Sequence, residues 1–228
     1  MTKIAVLKFP GTNCDLDVVH VLKTTTNLDA EVIWYQDFRA RKFDAVVIPG
    51  GFSYGDWLRA GAIAAQTKAM GEIRVAIDMG LPVLGICNGF QILVEATLLP
   101  GALLSNECGY FVCKWVRLRV RRPRGPWLIL LEEGQEIDMP IAHGKGRYYI
   151  DEDTYMKIAS TSPTIEYVNE NPNGSSFNLA GLASPNGLVL GLMPHPERSA
   201  EEELTPRGKI PGGIYIWKSI ELSLKRGW

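Results

Sequence analysis

Cysteine, histidine, net charge and long apolar runs are all scarce in this chain, and each scarcity removes a class of protein. Its 228 residues include 4 cysteines and 3 histidines. The cysteines, Cys14, Cys87, Cys108 and Cys113, are too few and too scattered to staple a secreted fold, and no CxxC pair occurs. A structural zinc site needs Cys and His bunched at short spacing, so no metal is expected. No apolar stretch approaches the roughly 18 residues of a membrane-spanning helix, because Pro, Gly or a charge interrupts each one. The first eight residues, cut short by Lys8 and Pro10, read as a strand rather than a secretory leader. With 24 Lys and Arg against 25 Asp and Glu, the net charge of −1 provides no global attraction for nucleic acid or an anionic membrane. Linkers, repeats and low-complexity tracts are also missing. The expectation is therefore a cytoplasmic protein with one domain, residues 1–228, whose 46% hydrophobic content suffices for a core.

What is present has a clear order. Short Val- and Ile-rich runs at 3–8, 30–35, 44–48 and 82–86 are bounded by Pro, Gly or polar residues and read as strands. Between them, 15–25 and 57–79 carry apolar residues at helical spacing, as in Ile63, Met70, Ile73 and Ile77. Near-continuous apolar strands separated by helices predict an α/β fold, with a mostly parallel central sheet flanked by helices. Residues 110–120 alternate instead, with Val112, Lys114, Val116, Leu118 and Val120 on one face, as in antiparallel strands. Further strands are expected at 127–131, 164–169, 179–184 and 188–192, making an antiparallel extension. A closing helix is expected at 213–225, where Ile216, Ile220 and Leu224 recur every four residues.

The chemistry concentrates in three places. In Gly85-Ile86-Cys87-Asn88-Gly89 a β-run enters and a helical run leaves, which is the Gly-x-nucleophile-x-Gly elbow with cysteine as nucleophile. The glycines are needed because a sharp strand-to-helix turn brings the positions two before and two after Cys87 close together. A helix N-terminus there favours a thiolate. The plain alternative, a buried core cysteine, is kept for Cys14, Cys108 and Cys113, which lack this context.

A cysteine nucleophile needs a base. His195 sits in Met193-Pro194-His195-Pro196-Glu197-Arg198, where flanking prolines hold an extended strand exit. Glu197, two residues on, can lie on the same side and fix the imidazole tautomer. His20 belongs to a helical pattern, and His143 to a glycine-rich loop that could touch a substrate. The third segment, Pro49-Gly50-Gly51, leaves backbone N–H groups at a strand's C-terminal edge. Beside Cys87, the Gly51 and Asn88 amides could form an oxyanion hole.

These segments, in this order, resemble the class I glutamine amidotransferases. With residues 9–15, residues 49–56 and Ala142-His143-Gly144, they resemble more narrowly the small glutaminase subunits of phosphoribosylformylglycinamidine synthases, over nearly the whole chain. The resemblance implies Cys87 attacking the amide of L-glutamine, His195 and Glu197 completing the triad, and Gly51 and Asn88 holding the oxyanion. It places Gln91, and the loop around His143, against the bound substrate. It further implies no cofactor in this chain, ATP and magnesium on a large partner synthetase, and a very small bridging subunit. A glutaminase serving another synthetase, such as those making GMP or anthranilate, or a non-catalytic assembly subunit of the same fold, are the alternatives. Two positions depart from the family pattern: Thr97 replaces a glycine and Lys145 an acidic residue.

Overall fold

A computed structural model describes residues 2–228 of the chain. The strands are β1 (Lys3–Lys8), β2 (Asp29–Trp34), β3 (Ala45–Ile48), β4 (Val83–Ile86), β5 (Ala102–Leu104), β6 (Val112–Arg121), β7 (Glu136–His143), β8 (Arg147–Tyr149), β9 (Thr164–Tyr167), β10 (Leu179–Ala183) and β11 (Val189–Leu192). The helices are α1 (Asp15–Thr25), α2 (Ala62–Ala65), α3 (Ala69–Asp78), α4 (Asn88–Glu95), α5 (Glu152–Thr161) and α6 (Gly213–Arg226). Nine strands form one sheet in the order β2-β1-β3-β4-β11-β10-β9-β6-β7, and β5 pairs with β8 in a separate ribbon.

The expected α/β class is what the chain adopts. Strands β2, β1, β3, β4 and β11 run parallel, and β10, β9, β6 and β7 continue the sheet antiparallel. The sequence pattern follows this division. β3, β4 and β11 are buried at every residue, as strands covered on both faces must be. β6 instead buries Val116, Leu118 and Val120 and leaves the intervening side chains partly open. Helix α1 packs on β1 and β2, and α4 packs on β3, β4 and β11.

Three expected elements are corrected. The stretch 57–79 is not one helix: Leu58 and Gly61 take φ of 65° and 80°, which helix cannot contain, and only α2 and α3 are helical. Residues 127–131 form turns rather than a strand. Trp127, Leu128 and Leu131 are buried while Ile129 and Leu130 are exposed, and Trp127 Nε1 donates to the Leu188 carbonyl at 3.2 Å. Third, Pro196–Arg198 is a short 3₁₀ turn rather than extended chain, and that turn is what brings Glu197 back to His195. β5, β7, β8 and α5 lie outside the expected elements. β7 carries Pro140, which is tolerated because this is the last strand of the sheet. Helix α5 was findable from Asp151, whose carboxylate accepts from the Thr154 amide at 2.9 Å as its N-cap.

Candidate active site

Four strand exits converge at the carboxyl edge of the parallel strands, where open α/β sheets bind ligands. β1 leads into residues 9–14, β3 into 49–51, β4 into Cys87, and β11 into 193–198. Their side chains line a cavity of about 150 Å³ formed by Asn13, Cys14, Gly51, Phe52, Cys87, Phe111, Ala142, His195 and Arg198.

Cys87 occupies the turn between β4 and α4 with φ 49° and ψ −103°, a conformation L-residues avoid and nucleophile elbows impose. The flanking glycines are a steric requirement. A Cβ on Gly85 would lie 2.7 Å from the Gly89 carbonyl, and one on Gly89 would lie 1.9 Å from the Ile48 oxygen. The Cys87 amide donates to the Leu192 carbonyl at 2.8 Å, which anchors the elbow to the strand that carries the histidine. The thiol itself donates to the Ala142 carbonyl at 3.8 Å.

His195 is 2% exposed and donates from Nδ1 to Glu197 Oε1 at 2.6 Å. Its amide donates to the Pro140 carbonyl at 2.9 Å, and the Pro196 carbonyl accepts from Trp217 Nε1 at 3.1 Å, so β7 and α6 hold the segment from two sides. Burial pushes the imidazole pKa down, but the Glu197 carboxylate and then the Cys87 and Cys14 thiols outweigh it and hold the group well above its ordinary value. His195 Nε2 and Glu197 Oε2 are buried without a hydrogen-bond partner. Gly50 explains how the imidazole and thiol come together: a Cβ there would stand 2.8 Å from His195 Cε1 and 3.5 Å from Cys87 Cβ.

The expected oxyanion donors are also at this edge. Asn88 opens α4, where the first N–H groups have no partner within the helix, and Gly51 lines the cavity. Gln91 does not line it. Its carboxamide oxygen accepts from Asn88 Nδ2 at 2.8 Å and its nitrogen donates to the Lys145 carbonyl at 2.6 Å, so Gln91 ties α4 to the loop after β7. Lys145 Nζ in turn donates to the Asp56 carbonyl at 3.4 Å. Burial raises the Asp56 carboxyl pKa, and the Lys145 cation partly opposes this. His143 ends β7. Asn106 donates its amide to the His143 and Tyr110 carbonyls, which leaves Asn106 Oδ1 to accept from His143 Nδ1 at 3.1 Å. Burial first, and the His195 charge second, lower the His143 pKa to about 4, so this ring is neutral at ordinary pH.

Cys14 is a correction. It is buried, as expected of a small core residue, but it lines the cavity and belongs to the site. Arg198 Nη2 donates to its sulfur at 3.2 Å, while the same guanidinium holds Asp17 at 3.1 Å. The ligand-type atoms of Cys14, His195 and Glu197 all lie within 4.8 Å of one another, a set able to hold a metal ion. Cys108 and Cys113 are exposed rather than core, and His20 is an exposed partner of Glu201.

Comparison with known proteins identifies the family. A family model described as CobB/CobQ-like glutamine amidotransferase domain matches residues 1–212. Phosphoribosylformylglycinamidine synthase subunit PurQ of Pyrobaculum aerophilum is 51% identical over 224 residues, covering 98% of this chain and 100% of the relative. The subunit of the same name from Pyrococcus furiosus is 51% identical over 227 residues, covering 95% and 99%. Among solved structures, one described as PurLQS from Thermotoga maritima superposes with a TM-score of 0.85 at 40% identity, over 98% of this chain and 99% of the other. The elbow, the carboxylate-held histidine and this full-length similarity together establish that the chain belongs to the glutamine amidotransferases, within the family of PurQ subunits of phosphoribosylformylglycinamidine synthase.

Proposed function

We propose that the chain hydrolyses glutamine through Cys87, His195 and Glu197 and passes the ammonia to a synthetase that converts formylglycinamide ribonucleotide to its amidine in purine biosynthesis. The observation that carries the chemistry is the 2.6 Å bond from His195 Nδ1 to Glu197, which directs Nε2 to the cavity work while the strained elbow presents Cys87. Cys87 sulfur, its proton passed to His195, adds to the side-chain carbonyl carbon of glutamine. The oxyanion is held by the N–H groups of Gly51 and Asn88. His195 returns the proton to the departing nitrogen, ammonia leaves, and a γ-glutamyl thioester remains on Cys87. His195 then takes a proton from water as water attacks the thioester, which releases glutamate and restores the thiol. Gln91 acts on substrate by fixing the Lys145 loop, through its bond to that loop's backbone.

The relatives' name, a synthase subunit, supports a partner that uses the ammonia. That partner is a large synthetase subunit carrying ATP and magnesium, joined through a very small bridging subunit. Exposed apolar side chains on the cavity lining support docking there: Phe52 and Phe111 line the cavity and are 44% and 49% exposed. The test is turnover in the reconstituted assembly. Cys87→Ala is expected to abolish glutamine-dependent amidine formation and leave ammonia-dependent formation intact. Glutaminase activity surviving in Cys87→Ala would overturn the nucleophile. A wild-type chain inert with every partner would identify it as an assembly subunit instead.

A further inference from the structure

We propose that the catalytic pocket also takes a thiophilic divalent cation, of which zinc is the type, on Cys14, His195 and Glu197, and that its occupancy switches the glutaminase off. The binding part stands on the donor geometry, and the inhibition part rests on the function proposed above.

The donor set is one thiol sulfur, one imidazole nitrogen and one carboxylate oxygen, the combination that borderline-soft ions select over magnesium or calcium. The three residues are 2%, 2% and 3% exposed, so the site is already shielded from water. Their ligand atoms lie within 4.8 Å of one another. Two ligands on a tetrahedral zinc stand roughly 3.3 to 3.8 Å apart, given bonds of about 2.0 to 2.3 Å. Side-chain adjustments of about an ångström therefore close the shell. Glu197 Oε2 is buried without a hydrogen-bond partner and so has ligating capacity to spare, and the imidazole can ligate through Nδ1, on the side that faces the carboxylate. Access is through the cavity of about 150 Å³, which Cys14, Cys87, His195 and Arg198 all line. Cys87 or a water can complete the shell.

Two contacts have to give way: the 2.6 Å bond from His195 Nδ1 to Glu197 Oε1, which opens as the cation takes the place of the shared proton, and the bond from Arg198 to Cys14. Arg198 Nη2 donates to Cys14 at 3.2 Å, but the guanidinium is already anchored on Asp17 through both Nε and Nη2, at 3.3 and 3.1 Å, and keeps that partner when the sulfur turns to the ion. Inhibition follows from the same ligands. An imidazole held on a cation has no lone pair for the Cys87 proton, and a carboxylate held there no longer orients the ring. Cys14 has no step in the proposed reaction but lines the pocket and supports the His195 charge, so each Cys14 variant is read against its own metal-free rate.

The binding test uses cobalt(II) as a spectroscopic probe on full-length protein carrying Cys108→Ser, Cys113→Ser and Cys87→Ala, in which Cys14 is the remaining thiol. The expected result is a near-ultraviolet thiolate-to-cobalt band that disappears when Cys14→Ala is added. No band in the Cys14-containing protein, or a band that survives its removal, overturns the site whatever the protein's activity. The inhibition test measures glutaminase in the assembled complex under chelator-buffered zinc, each variant against its own metal-free rate. Zinc is expected to inhibit reversibly, and Cys14→Ala and Cys14→Ser to raise the half-inhibiting concentration about 100-fold, the scale of losing a ligand or its support. Unchanged zinc sensitivity in both variants would place inhibition on Cys87 alone and overturn the switch.

Discussion

Thr97 holds a β-branched side chain at φ 57°, where the Schellman end of α4 calls for glycine: its amide donates to Val94 and the next amide, Leu98, to Leu93, both at 2.9 Å. Its hydroxyl donates to the Ala96 carbonyl at 2.7 Å and compensates in part. Thr97→Gly is expected to stabilise the chain by about 0.5 to 1 kcal/mol, visible as a rise of a few degrees in Tm. Glu197 gives a second expectation at this scale. Glu197→Gln keeps the shape but removes the charge that supports imidazolium, so kcat for glutamine should fall roughly 10²- to 10⁴-fold with KM little changed. A rate near wild type would remove Glu197 from the reaction. Cys87 and His195 were legible in the sequence because each owes its placement to immediate neighbours, two glycines for the thiol and two prolines for the base; Glu197 was named by its nearness in the chain, but the 3₁₀ turn that carries it to His195 was not. Cys14 was not, because its place in the site depends on β1 and β11 exits meeting across Gly50, which has no local signature.

Helix α6 shows why an element can be found by periodicity while its attachment cannot. The spacing of Ile216, Ile220 and Leu224 announced the helix. Glu221, on the same helix, is buried and accepts from the Asn27 backbone and side chain at 3.1 and 2.8 Å and from Lys218 and Lys225 at 3.0 and 2.8 Å. Burial alone would raise this carboxyl pKa, but the two lysines and Asn27 bring it down to about 2. A folded pKa below the unfolded value stabilises the native state above the ordinary carboxylate range and loses that contribution as pH falls toward 2. Glu221→Gln should therefore lower stability at neutral pH by about 2 kcal/mol, with both lysines half in solvent, and the difference from wild type should shrink between pH 5 and 2. Denaturant titrations across that range measure it, and a pH-independent difference would sink the argument. The converse holds at 57–79, where apolar spacing runs unbroken through a loop. The left-handed residues Leu58 and Gly61 interrupt the helix there, and no pattern of apolar side chains encodes a backbone sign.

For the molecule as a whole, composition and strand character gave the α/β class, and alternation in β6 gave the antiparallel extension. The continuity of the sheet was hidden. Both halves share one nine-stranded sheet because β11, four residues near the end of the chain, pairs with β4 on one side and β10 on the other. Neighbours in that order are set by contacts across about a hundred residues, beyond the reach of local pattern.

That late strand also sets a schedule for the nascent chain. Once residue 86 has left the ribosome, β4 can join β3, but its other edge has no native partner until residues 189–192 emerge. At about 5 to 20 residues per second the wait is roughly 5 to 20 s, during which an apolar edge that could pair with another chain stays open. The same arrival brings His195 to Cys87, so the interval of greatest aggregation hazard and the interval of catalytic silence end together.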